Sequence, residues 1–223
     1  MTAVPGLLMV LEGIDRSGRS THAGLLEAHL RHRGRGVTRT SLGSSVLSAD
    51  ALRRAKRGRR PDPVEIALLS AADLAERIER VVQPALRAGL VVVADRWTST
   101  PTARAELRGV EREWLDRLFT FAPTPDLVVL LDLDPDVSLA RRDDPDPYEA
   151  GLDLHLADDL RDSYRLFGTR LAAWFDAEAR RRRWVRVAAD APIGRVQARV
   201  ETAADRLAGL ATHRTGRSPA GAT

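Results

Sequence analysis

Residues 8–21 read Leu-Met-Val-Leu-Glu-Gly-Ile-Asp-Arg-Ser-Gly-Arg-Ser-Thr, an apolar run passing into a polar turn bounded by two glycines. The second half meets the spacing G-x-x-x-x-G-K-[ST] at Gly13, Gly18 and Ser20 and departs from it at Arg19, where the pattern has lysine. Glycines at that spacing let successive backbone N–H groups converge on a phosphate, and the helix that follows aims its positive dipole end at the same point. A cation completes the cradle. The same letters also fit a glycine-rich strand-to-helix turn that binds nothing, so the rest of the chain decides between the two.

Among the 35 Lys and Arg residues Lys56 is the single lysine, so the arginine at 19 follows the composition of the whole chain. Guanidinium is permanently charged and can pair with phosphate through two N–H groups, although it is larger and planar. We read the loop as a working phosphate site that carries an arginine.

With 223 residues and 43% hydrophobic content the chain can bury a full core as one domain, over about 1–210. No apolar run approaches the ~20 residues that span a bilayer, and no charged-then-apolar leader precedes the first strand. The expected location is the cytoplasm. Zero cysteines exclude disulfides, cysteine-ligated metals and thiol nucleophiles. A net charge of +4 favours anionic ligands without calling for nucleic acid. The arginine runs at 53–60 and 180–183 have no interleaved aromatics and read as solvated faces. The five histidines show no metal-ligand spacing, and a surface role is expected for His22.

Strands and helices alternate along the chain. Strands are expected at 7–11, 37–40, 90–94, 127–131 and 184–188, from short β-branched or leucine-rich runs. Helices are expected at 20–33, in a basic stretch near 50, along 64–87 after Pro61-Asp62-Pro63, along 153–180 and at 192–210, with a disordered tail at 211–223. The predicted fold is α/β: about five parallel strands flanked by helices on both faces, with ligands beyond the strands' carboxyl ends. The strand at 90–94 runs into Asp95-Arg96-Trp97, which puts a carboxylate and a guanidinium at the rim that also holds the phosphate loop. Asp95 there can hold magnesium or orient an attacking oxygen, and Arg96 can grip an acceptor phosphate. Trp114, Trp174 and Trp184 are expected in the core, and Trp97 at the acceptor pocket.

Taken together, these residues resemble the thymidylate kinases among the nucleoside monophosphate kinases, over roughly residues 7–205. The resemblance is carried by Glu12 to Thr21, Ala71-Ala72-Asp73, Gln83-Pro84-Ala85-Leu86 with Gly89, Asp95-Arg96-Trp97, Pro125-Asp126-Leu127 through Asp134-Pro135, and Tyr148-Glu149. It implies a P-loop kinase that transfers the ATP γ-phosphoryl group to a deoxynucleoside monophosphate with Mg2+, and a homodimer. It implies donor-phosphate binding by Gly13, Ser17, Gly18, Arg19, Ser20 and Thr21, a metal held by Ser20 and Asp95, and Arg142 stacked on adenine. Asp15 faces the acceptor, Arg96 holds its phosphate, and Tyr148 crowds its sugar. Arg16 takes the part of transition-state stabiliser, because the lid at about 142–151 contains the acidic Asp143-Asp144-Pro145-Asp146-Pro147. Catalysis is then chiefly positioning and charge neutralisation.

The chain departs from the family on the acceptor side. Where the family has Phe-Ala-Ala-Asp-Arg, with the aromatic stacking on thymine and the arginine bonding it, this chain has Ser70-Ala71-Ala72-Asp73-Leu74. A second phosphate-gripping arginine has to come from Arg39 or Arg104. Two other readings fit: a kinase of the same fold for another nucleotide or a modified pyrimidine, and a non-catalytic nucleotide-binding regulator. Retention of Asp15, Arg16, Asp95 and Arg96 at one rim speaks for the enzyme.

Overall fold

The computed structural model describes residues 6–57, 62–141 and 145–215, and of 210–215 the backbone alone. The five apolar runs become β1 (Leu7–Glu12), β2 (Val37–Ser41), β3 (Val91–Asp95), β4 (Leu127–Asp132) and β5 (Val185–Ala188). They form one parallel sheet in the order β2-β3-β1-β4-β5. Successive side chains point to opposite faces, and β1 shows the consequence. Leu7, Met9 and Leu11 enter one core with α1 (Arg19–His32), α8 (Leu160–Arg182) and α9 (Ile193–Thr215). Leu8 and Val10 enter a second core with α3 (Pro63–Arg77) and α6 (Arg112–Leu118). Both faces of the sheet are therefore covered, as the unbroken apolar strands require. The order reverses around β1, so the crevice at the carboxyl ends of β1 and β3 is the natural ligand site.

Expected helix boundaries shift where local chemistry intervenes. The long 64–87 segment is continuous through Pro84, but it passes from α3 through a π turn, Ile78–Val82, into α4 (Gln83–Arg87). The Gln83 N–H reaches Ile78 O, five residues back, which widens the helix ahead of the proline ring. The helix expected over 153–180 begins later: Leu152–Leu154 is a 3-10 turn, and Asp159 accepts from Arg161 N at 2.8 Å and Asp162 N at 3.0 Å to cap α8. The closing helix continues to Thr215, beyond the 210 where the sequence reading ends it.

Smaller helices complete the frame: α2 (Ala49–Arg57), α5 (Ser99–Glu106) and α7 (Pro135–Ala140). Asp73 on α3, fully buried, accepts from Gly43 N at 3.0 Å and Ser45 N at 2.9 Å. That carboxylate ties the loop after β2 to α3. His22, expected at the surface, is buried between α1 and α9, with Nδ1 2.8 Å from Gln197 Oε1.

Candidate active site

Gly13 leaves β1 at φ +150°, and a Cβ there would stand 2.6 Å from Leu131 O. Only glycine lets the chain pass so close to β4. Gly18, at φ +94°, caps α1, whose own first turn carries no acidic residue, so its N–H groups and the positive end of its dipole are available to an anion. Between the glycines Arg16 holds a left-handed φ of +57°. Its carbonyl accepts from Arg141 Nη1 at 3.1 Å, and that of Asp15 accepts from the Ser138 hydroxyl at 2.7 Å. Contacts from α7 and the residue after it thus hold the strained turn. A cavity of about 630 Å3 opens over residues 15–22, Arg96 and Arg141.

Arg19 turns inward and is 6% exposed. Its Nη1 donates to Gly13 O, Ile14 O and, at 3.3 Å, Ser17 Oγ, while Nε lies 3.3 Å from Asp95 Oδ1. The sequence reading sets Arg19 against the donor phosphates; here much of the guanidinium braces the loop from below. A fork of donors finds several acceptors inside the turn, whereas a lysine point charge has less to engage. The Ser20 hydroxyl donates to Asp95 Oδ2, so both residues at the start of α1 converge on one carboxylate at the end of β3.

The neighbouring pair is Asp15 and Arg96, with Arg96 Nη2 3.8 Å from Asp15 Oδ1. Arg96 has φ +70°, and its N–H donates to Leu11 O at 3.0 Å. Burial pushes the Arg96 guanidinium down to about 10, and the nearby Arg19 and Arg104 add to the effect. The Tyr164 hydroxyl lies 2.7 Å from Ser138 Oγ and 3.5 Å from Asp15 Oδ2. Glu12 is fully buried beneath the rim and accepts from Trp97 N at 2.9 Å and Thr100 Oγ1 at 2.6 Å. Burial raises its carboxyl above the ordinary value, against those hydrogen bonds. Sequence reasoning missed Glu12, Ser138, Arg141 and Tyr164 as supports; an acid inside an apolar strand was the one available signal.

On the acceptor side the structure separates the expected residues. Leu74 is fully buried in the core, and the Ser70 hydroxyl, also buried, donates to Ile66 O at 2.7 Å. Trp97 is a core residue as well and lines neither rim cavity: it is 2% exposed, and its indole N–H donates to Pro123 O at 3.2 Å. The left-handed turn at Arg96 swings the ring inward. Arg39 pairs with Glu27 at 3.3 Å and lines a second cavity of about 460 Å3, which shares Ser20 and Asp95 with the first. Arg104 lines neither rim cavity; it is buried against Glu149, close enough to Arg96 for the two guanidiniums to repel. The Tyr148 ring is buried with Leu52 and Ile66, 4.1 Å from Arg108 and 5.4 Å from Lys56. Arg142, Asp143 and Asp144 fall outside the described residues.

The family model for thymidylate kinase matches residues 11–200, from the end of β1 across the loop and the Asp95-Arg96 rim into α9. The chain belongs to the thymidylate kinase family. Among its relatives is "probable thymidylate kinase 2" of Saccharolobus solfataricus, 32% identical over 179 residues, which cover 78% of this chain and 84% of the relative. A thymidylate kinase of Jannaschia sp. is 36% identical over 185 residues, 79% of this chain and 84% of its own. The "probable thymidylate kinase" of Pyrococcus abyssi is 39% identical over 142 residues, 61% and 69% of the two chains. Membership of the thymidylate kinase family accounts for the parallel sheet and for an ATP-dependent phosphotransferase built on it. Among the described residues no helix is long and apolar enough to cross a membrane.

Proposed function

We infer that this protein phosphorylates dTMP, transferring the γ-phosphoryl group of ATP to the 5′-phosphate to give dTDP. The observation that carries this reading is the pairing at two adjacent strand ends, Ser20 and Arg19 with Asp95, and Asp15 with Arg96, directly under an outward-facing helix N-terminus. The donor phosphates lie along the N–H groups of residues 16–20, with Gly13 and Gly18 permitting the approach and Ser17 and Thr21 flanking it. Arg19 holds the loop and Asp95 in register and supplies positive charge beneath the phosphates.

The residues present fit magnesium. Ser20 and Asp95 offer a hydroxyl and a carboxylate in mutual contact, both hard oxygen donors. Among the described residues there is no cluster of three His, Cys, Asp or Glu, as suits an ion that keeps waters and substrate phosphates in its shell. Bound magnesium would neutralise charge on the transferring group. Arg96 grips the acceptor phosphate, Asp15 faces the acceptor and keeps Arg96 aimed, and exposed Arg16 meets the charge that builds in the transition state. Arg39, in its own cavity, remains a candidate for a further phosphate contact.

The family resemblance implies a homodimer, and exposed Val64 and Leu68, four residues apart on α3, supply apolar surface for one. Light scattering on the purified protein tests the dimer. Formation of dTDP from dTMP, ATP and Mg2+ tests the reaction, and a protein that binds ATP without forming dTDP overturns it.

A further inference from the structure

The chain's single lysine stands in a cluster of charges beside the rim. Lys56 on α2, Arg104 on α5 and Arg96 after β3 converge near one carboxylate, Glu149, which pairs directly with Arg104. Burial lowers the Lys56 amine to about 8, and Arg104 adds to the effect against Glu149 and Asp146. Burial alone would raise Glu149, yet Arg104, Arg96 and Lys56 outweigh it and hold the carboxyl at about 2. One carboxylate does not satisfy these cations. Among the described residues, Arg104 Nε, Arg104 Nη1 and Arg96 Nε are buried with no hydrogen-bond partner. Buried charged donors left unpaired are costly, so their persistence asks for an acceptor with more oxygens than Glu149 has.

We propose that Lys56 and Arg104, beside Arg96, form an anion subsite of the acceptor pocket in which the Glu149 carboxylate holds the place of the acceptor's phosphate. The inference rests on the phosphotransferase reading and deepens it. A phosphate monoester brings three terminal oxygens and close to two charges, enough to meet the orphaned N–H groups and the lysine together. Lysine suits the edge of such a subsite because its flexible stem carries a point charge with three donors. The segment that bears Glu149 is anchored independently of the exchange. Arg108, one turn beyond Arg104, donates to Tyr148 O at 2.7 Å, pairs with Asp153 at 2.8 Å and stacks on the Tyr148 ring. Glu149 can therefore give way while its neighbours stay in place.

Calorimetric titration of the full-length protein, saturated with magnesium and a non-hydrolysable ATP analogue to fill the donor site, reads the subsite with inorganic phosphate and then with dTMP. Glu149→Gln, which keeps the shape and removes the competing charge, should tighten phosphate binding at least fivefold. Adding Arg104→Gln or Lys56→Gln in that background should remove the gain, and Arg104→Lys should restore part of it. Unchanged affinity for the ATP analogue shows that each variant is folded. Weaker phosphate binding by Glu149→Gln, or full affinity in the Arg104→Gln and Lys56→Gln variants, overturns the proposal. Absence of dTDP formation by the wild type would strike the proposed reaction instead, leaving the phosphate titration to judge the subsite.

Discussion

Arg19 and Asp95 form an ion pair of 3.3 Å that ties the first turn of α1 to the end of β3, beneath the phosphate loop. Removing the arginine leaves Asp95 without that partner and strips the loop carbonyls of Gly13 and Ile14 of a donor. Arg19→Ala is expected to lower kcat by roughly two orders of magnitude, the scale for a preorganised charge contact. The Tm should fall too, because buried acceptors lose their partner. Arg19→Lys should keep most of the turnover, since a cation remains beside Asp95. Coupled-assay kinetics and thermal melts on the three proteins check both effects.

Arg16 predicts the opposite combination. Its φ of +57° is one that glycine adopts without strain, so Arg16→Gly should leave stability unchanged or raise it by up to about 1 kcal/mol. Turnover should nevertheless fall by roughly 10²–10³, with little change in ATP affinity, as for a contact made in the transition state. Steady-state kinetics beside urea denaturation decide it. A parallel loss of ATP affinity would move Arg16 from stabiliser to binding residue.

Base selectivity should be loose. Leu74 is sealed in the core and the Ser70 hydroxyl is engaged by Ile66 O, so neither reads a base edge. Sites that hydrogen-bond their substrate discriminate by about 10⁴ or more, whereas apolar pockets separate a methyl group by about 10–200-fold. Values of kcat/KM for dTMP, dUMP and dCMP are expected to lie within about two orders of magnitude of one another. UMP should be worse if Tyr148 crowds the sugar. Stringent preference for dTMP would mean that another side chain reads the base.

Glu149 sets an acid limit on stability. Its carboxyl is held at about 2, below the ordinary value of 4.5, so the unfolded chain takes up the proton first as pH falls. The stabilisation is complete above about pH 5 and drains away between there and pH 2, amounting to at most about 3 kcal/mol. Urea denaturation at pH 6 and pH 3 should show wild type losing more stability than Glu149→Gln over that interval. Equal losses would mean that the Arg104 pair contributes nothing to folding.

The strands and the rim were legible because each rests on local chemistry: β-branched runs for the sheet, glycines for the loop, and Asp95-Arg96 at a strand end. The inward course of Arg19 was not legible, since it depends on where the Gly13 and Ile14 carbonyls point once the turn has closed. Trp97 was misplaced because the left-handed turn at Arg96 reverses the side expected from strand alternation. Lys56 was visible only as a compositional oddity. Its neighbours Arg104 and Glu149 come from segments 48 and 93 residues further on, and no periodicity in the sequence joins them.

Asp73 grips the amides of Gly43 and Ser45 from a fully buried position, and that grip sets how the acceptor side moves. Lifting the loop after β2 while α3 stays still would take two N–H donors from that buried carboxylate and leave it the Arg77 guanidinium alone, whose Nε lies 2.9 Å away on the same helix. Loop and helix are therefore coupled as a single lever, and amide hydrogen exchange at Gly43 and Ser45 is expected to follow the opening of α3 rather than local loop fraying.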